Sequence, residues 1–198
     1  MKHLIHTMLL AAGLAAVASE TVAPDVMIRK ASEDVVGAVD HDHLSANDQR
    51  FKDMLKAEVL PNFDFNRITA LAVGHHWREA SPQQQSTMTH EFETLLVRAY
   101  SSALTANKVK TIDVAPLHAG EGDKEVSVKS TVTPENGRAV AIDYHLERMP
   151  SGWKIYDVAV DGVSLVTNYR TQFDARIKQG GIDGLIKDLE ARNAQQSK

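Results

Sequence analysis

KEVSVKSTVTPENGRAVAIDYHLERMPSGWKIYDVAV, Lys124 to Val160, has a period of two through most of its length. Val126, Val128, Ser130 and Val132 alternate with Ser127, Lys129 and Thr131. Val140, Ile142, Tyr144 and Leu146 alternate in the same way with Ala139, Ala141, Asp143 and His145. Successive side chains of an extended chain point to opposite faces, so each run predicts a strand with one face buried. Asn136-Gly137 is a strong hairpin signal between the first two runs, and ERMPSG, Glu147 to Gly152, turns the chain again. The final run sets Tyr156, Val158 and Val160 on one face. With VKTIDVAPLH, Val109 to His118, in front of them, these runs predict an antiparallel meander of about four strands.

On either side of the meander the period becomes helical. SPQQQSTMTHEFETLLVRAYSSALTAN opens with Ser81 as N-cap, Pro82 at the first helical position and Gln84 closing a capping box. Met88, Phe92, Leu95, Leu96, Ala99, Tyr100, Ala103 and Leu104 then share one broad apolar face. Nearer the N-terminus, a stripe of Ile28, Val35 and Val39 predicts a first helix. Ser45 with Asp48 resembles a capping box for a second, carrying Phe51, Leu55 and Val59, and a third starts near Asp64 and stops at Gly74. After the sheet, Asp161-Gly162 turns into helices from about Leu165 to Lys178 and from Ile182 to Ala191, divided by Gly180-Gly181. The expected architecture is α+β: a twisted antiparallel sheet of about four strands packed by N- and C-terminal helices. No internal repeat or domain linker is visible.

The first residues belong to targeting rather than fold. MKHLIHTMLLAAGLAAVAS has a basic start at Lys2, an apolar run and small residues at Ala16 and Ala18. This layout predicts a signal peptide over residues 1–18, cut after Ala18, leaving one domain over 19–198. The apolar run is shorter than the roughly 20 residues of a membrane helix, and no other long apolar run follows. The formal charge of −4 becomes one unit more negative when Lys2 leaves, which argues against a nucleic-acid partner. Of 198 residues, 43% are hydrophobic and none is Cys, so the core alone holds the domain. An exported chain without disulfides points to a periplasm.

Chemistry-bearing patterns are sparse. Among nine histidines, His41 with His43 and His75 with His76 are the close pairs. Helical neighbours diverge by about 100°, so no metal site is expected from them. Ser164 stands two residues after Gly162 at a turn but lacks the second Gly of the nucleophile elbow G-x-S-x-G, its flanks are aliphatic, and it reads as a helix N-cap. Asp143, His145 and Asp157 could form an acid–base group on adjacent strands, which keeps open a runner-up reading as an isomerase or dehydratase acting on a small apolar substrate. Strict alternation places them instead on a solvent face, and no catalytic residue is assigned. A structural or adaptor protein with a filled core is a third reading. Arg67, Arg98, Arg170 and Lys178 are expected to be solvated surface cations.

VLPNFDFNRITALAVGHHW, SPQQQ…EFETLLVRAYSSAL, WKIYDVAVDGVSLVTNYRTQF and GIDGLIKDL, in this order, resemble the MlaC family of periplasmic phospholipid-binding proteins. That family is also known as toluene-tolerance or organic-solvent-resistance auxiliary proteins. The likeness runs from about Val26 to Leu189 and is weakest from Ala115 to Lys124; Asp161 stands where Glu is more usual. The resemblance implies a sheet related to the NTF2-like cone and no catalysis. It implies a monomeric periplasmic carrier that shuttles phospholipid between outer and inner membrane and so maintains outer-membrane lipid asymmetry. Its implied partners are the outer-membrane lipoprotein MlaA with a porin, and the inner-membrane MCE protein MlaD of an ABC transporter; phospholipid is cargo, and no cofactor or metal is implied.

At about 0.8 kcal/mol per methylene, two tails of roughly 30 carbons cost on the order of 24 kcal/mol in water. A carrier therefore needs an aliphatic interior, and a chain with 6% aromatic residues and abundant Val, Ile and Leu can build one. Alternation joined to the resemblance assigns the acyl-chain wall to Phe92, Leu96, Tyr100, Leu104, Val128, Val140, Ile142, Tyr144, Tyr156, Val158, Val160, Val163, Leu165 and Val166.

Overall fold

The computed structural model describes residues 22–106 and 108–195; the expected signal peptide lies outside them. Helix α1 (Pro24–Val36) runs into a π turn, Gly37–His41, and α2 (Gln49–Met54) into another, Leu55–Val59. Then come α3 (Phe65–Val73), a 3-10 turn (Gly74–Arg78) and the long α4 (Pro82–Ala106). Strands β1 (Val109–Val114), β2 (Glu125–Pro134), β3 (Val140–Met149), β4 (Gly152–Val160) and β5 (Val163–Ser164) follow, and α5 (Leu165–Gln195) ends the chain. The sheet is antiparallel throughout, in the order β1-β2-β3-β4-β5.

Local chemistry sets the element boundaries. Ser81 and Gln84 form a reciprocal box: the Ser81 N–H donates to Gln84 Oε1 at 2.9 Å and the Gln84 N–H to Ser81 Oγ at 3.2 Å. The Asp64 carboxylate accepts the Arg67 N–H at 2.8 Å and caps α3. Helix α2 departs from expectation. It starts at Gln49 with Asp48 itself at the cap position, and the Asp48 carboxylate turns back to Ser45, accepting its N–H at 2.9 Å. The sheet also gains a fifth, two-residue strand. Asp161 (φ 49°) and Gly162 (φ 81°) both take positive φ, as a two-residue hairpin turn demands, and fold β5 onto Ala159 and Val160. A strand of two residues has no period to read.

A bulge in β4 corrects a second expectation. Tyr144 faces Val158 and His145 faces Asp157, but Leu146 already faces Ile155, so Tyr156 is the extra residue. The phase of β4 reverses there. Trp153 and Ile155 before the bulge share the inner face with Val158 and Val160 after it, and Tyr156 turns to the outer face. There it meets α3: the Arg67 guanidinium lies 3.8 Å over the Tyr156 ring, donates to Glu125 Oε1 at 2.6 Å and pairs with Glu147. Arg67 is thus no solvated cation.

The Arg67 hydrogen bond holds the Glu125 carboxyl below its ordinary 4.5. A depressed carboxyl stabilises the fold above that value and loses the contribution as pH falls through its lower folded value. Acidification from about pH 5 to about pH 3 is therefore expected to lower the melting temperature less in Arg67→Met than in the parent chain, once both are referred to neutral pH. Parallel melting curves would refute the link.

Three apolar clusters result. The largest joins α3, α4 and α5 around Phe92, Met88, Phe173 and Leu185. A second seats Ile28 of α1 on Val114, Val128, Leu146 and Ile155 of the sheet. A third, Ala38, Leu44, Phe51 and Leu55, belongs to the N-terminal segment. Helix α5 breaks at Gly181 (φ 68°, ψ −173°), a conformation held essentially by glycine. Gly181→Ala is expected to cost about 1–3 kcal/mol in urea unfolding; a smaller loss would mean that the break relaxes. No helix among the described residues is long and apolar enough to cross a membrane.

Candidate functional site

The three clusters do not close on one another. Between the inner face of the sheet and α2 through α4 lies an apolar cavity of about 230 Å³. Its sheet side is Ile142, Tyr144, Val158 and Val160, and Leu96 and Tyr100 of α4 face them. A second cavity of about 210 Å³ lies between the same sheet face and α1, walled by Ile28, Val35, Val39, Ile112 and Val132. Val59, Phe63, Ile142 and Tyr144 border both, so the two spaces are neighbours across a shared partition. Together they fall within the roughly 300–1,000 Å³ of small-molecule sites. Larger hollows of about 530 and 580 Å³ carry Lys30, Asp34 and Glu58 on their walls, which suit water rather than alkyl chains.

The partition has one polar point. Tyr144 places its hydroxyl beside Ser32 of α1 and Ser130 of β2, and burial pushes its phenol above the ordinary 10.0. At the other extreme, Tyr100 and Val160 are 41% and 38% exposed, so the first cavity has a partly open rim. Asp157 also borders this cavity, but its carboxylate is engaged: Oδ1 accepts the N–H groups of Val158 (2.9 Å) and Val166 (3.1 Å), and Oδ2 accepts the Ser164 hydroxyl (2.5 Å). Ser164 Oγ in turn accepts the Thr167 N–H at 3.1 Å and caps α5. Asp143 and His145 occupy the alternate positions of β3, opposite Lys129 and Ser127. They lie on the sheet face opposite Ile142 and Tyr144, and neither borders either cavity.

Of the residues assigned to a wall from sequence, Leu96, Tyr100, Ile142, Tyr144, Val158, Val160 and Leu165 border the first cavity. Phe92 is fully buried against the rings of Tyr169 and Phe173, at 4.7 and 4.9 Å, and Val128 and Val166 are packed in solid clusters. Val140 is half-buried and borders neither space, while Val163 on β5 is 64% exposed. Tyr156 is on the outer face, and the Leu104 side chain lies outside what is described. Missing from that assignment were the α1 stripe and Val59, Phe63 and Phe65. Phe63 and Phe65, whose rings stack with centroids 5.5 Å apart, lie within VLPNFDFNRITALAVGHHW, one of the stretches that carry the family resemblance.

The family profile described as MlaC protein matches residues 29–191. The chain belongs to the MlaC family. Among relatives, the toluene tolerance protein Ttg2D of Pseudomonas putida is 27% identical over 173 residues, covering 86% of this chain and 79% of the relative. The intermembrane phospholipid transport system binding protein MlaC of Haemophilus influenzae is 21% identical over 177 residues, 87% of this chain and 83% of its own length. A solved phospholipid-binding protein from Ralstonia solanacearum, in complex with a phospholipid, shares the fold with a TM-score of 0.78 and 37% identity. It covers 88% of this chain and 98% of its own. The α+β sheet-and-helix fold expected from sequence is therefore that of an MlaC protein.

Proposed function

We propose that this MlaC-family chain is a phospholipid carrier of the periplasm, exported by a signal peptide over residues 1–18, with residues 19–198 as its single lipid-binding domain. The observation that carries the reading is the pair of adjoining apolar cavities on one sheet face. The two spaces together shelter acyl tail, and Tyr144 stands between them. The wall consists of Leu96, Tyr100, Ile142, Tyr144, Val158, Val160 and Leu165 from the original assignment, joined by Val59, Phe63 and the α1 stripe. Membership in the MlaC family and the phospholipid held by the Ralstonia relative support the same conclusion.

Moving lipid between outer and inner membrane requires donor and acceptor partners. The family resemblance nominates the lipoprotein MlaA with its porin on one side and MlaD of an ABC transporter on the other. Binding need only match the bilayer, because tails are sheltered in both places; a carrier that bound far more tightly would never unload. The chain acts without catalysis.

Mass spectrometry of organic extracts of the purified mature chain tests the reading. Diacyl phospholipid near one per protein is expected. Its absence from protein taken from a lipid-rich envelope would overturn the carrier.

A further inference from the structure

On the 3-10 turn after α3, at a site remote from both cavities in its lining residues, His76 is held between two carboxylates. Its Nδ1 lies 3.1 Å from Glu79 Oε2 and its Nε2 3.4 Å from Asp174 Oδ1 on α5. A neutral imidazole has one N–H, so one nitrogen would aim a lone pair at an oxygen, which repels unless a cation stands between them. A second imidazole is at hand. The His75 ring lies with its centroid 3.8 Å from that of His76, tilted by 39°. One ligand atom from each of His75, His76 and Glu79 falls within 4.8 Å of the others. Helical neighbours are expected to diverge, but on this 3-10 turn the two rings lie side by side.

We propose that His75, His76 Nδ1 and Glu79 form a binding site for a divalent transition-metal ion of the Zn²⁺ class, independent of the lipid cargo. Two imidazoles and one carboxylate are a donor set that Zn²⁺ takes readily, with a fourth position left to water, whereas Mg²⁺ and Ca²⁺ demand oxygen ligands. With a metal on Nδ1, the His76 proton would sit on Nε2, where Asp174 Oδ1, 3.4 Å away, would accept it from behind. Lys178 holds Asp174 in place at 2.6 Å. His75 and Glu79 are exposed, so an ion reaches them from solvent without disturbing the core. The bound ion would tie the turn at Gly74–Arg78 to α5 through His76 and Asp174.

Isothermal titration of the untagged, chelator-stripped mature chain with Zn²⁺, and separately with Mg²⁺, tests the site. One Zn²⁺ per chain and no saturable Mg²⁺ are expected. His75→Ala and Glu79→Gln should each weaken Zn²⁺ binding at least about tenfold, and Asp174→Asn about 10–100-fold, while His41→Ala should leave it unchanged. Absence of saturable Zn²⁺, or affinity that ignores His75→Ala and Glu79→Gln, would overturn the site. Spin resonance of the parent chain loaded with one Cu²⁺ needs no variant. Hyperfine coupling to two imidazole nitrogens is expected, and coupling to none or one counts against the site.

Discussion

Val158→Trp is expected to lower the diacyl phospholipid recovered with the purified protein at least about tenfold while the chain stays folded. Val158 borders the first cavity from β4, facing Tyr144 across the β3–β4 pair. An indole there fills space otherwise taken by tail. Excluding as few as two methylenes from shelter, at about 0.8 kcal/mol each, costs about 1.6 kcal/mol, slightly more than one decade in occupancy. The bulge supplies the control. Tyr156 stands two positions away but on the outer face, under Arg67. Tyr156→Ala should leave lipid content at the parent level; it loses the cation–π contact, about 0.5–1 kcal/mol of stability, together with the hydroxyl's 3.5 Å bond to Glu125 Oε2 and the ring contact with His145. Full lipid occupancy in folded Val158→Trp, or loss of lipid in Tyr156→Ala, would contradict the placement of the wall.

Asp157→Ala should have the largest effect on stability, about 2–3 kcal/mol in the urea midpoint with an unchanged slope. Its carboxylate accepts three hydrogen bonds and ties the end of β4, the short strand β5 and the first turn of α5 into one junction. Hydrogen bonds to a charged acceptor contribute about 1.5–3 kcal/mol each, but bonds sharing one acceptor do not add. Asp157→Asn keeps one oxygen for the backbone donors and should lose less. Equal losses in the two variants would mean that the charge, not the bonding pattern, holds the junction.

How far the fold could be read from sequence depended on what kind of signal each element leaves. Asn136-Gly137, the alternation of Val126 to Val132 and the Ser81–Gln84 box are local signals, and each element they announced is present. The bulge at Tyr156 left none, because Lys154, Tyr156 and Val158 look like one alternating set until β3 fixes the register. The candidate wall was legible only in part for a related reason. Periodicity tells which way a side chain points and not what it meets. Phe92, Val128 and Val166 point inward as surely as Leu96 and Val158 do, yet the first three end against protein and the last two against open space. The α1 stripe was visible for the same reason, but nothing in Ile28, Val35 and Val39 distinguishes a helix that packs from one that stands off the sheet. The pairing of His75 with His76 needed the turn geometry that only the folded chain supplies.

The N-terminal segment has a cluster of its own, Ala38, Leu44, Phe51 and Leu55, to which α4 contributes Val97. Leu55, Val59 and Val39, which border the two hollows, belong to or pack on that same small cluster. This part of the wall therefore has a frame of its own. Its cluster is distinct from the one that joins α3, α4 and α5, although Val97 of α4 packs against it. On the carrier role proposed above, opening the wall on this side to admit a lipid would leave the α3–α4–α5 cluster intact.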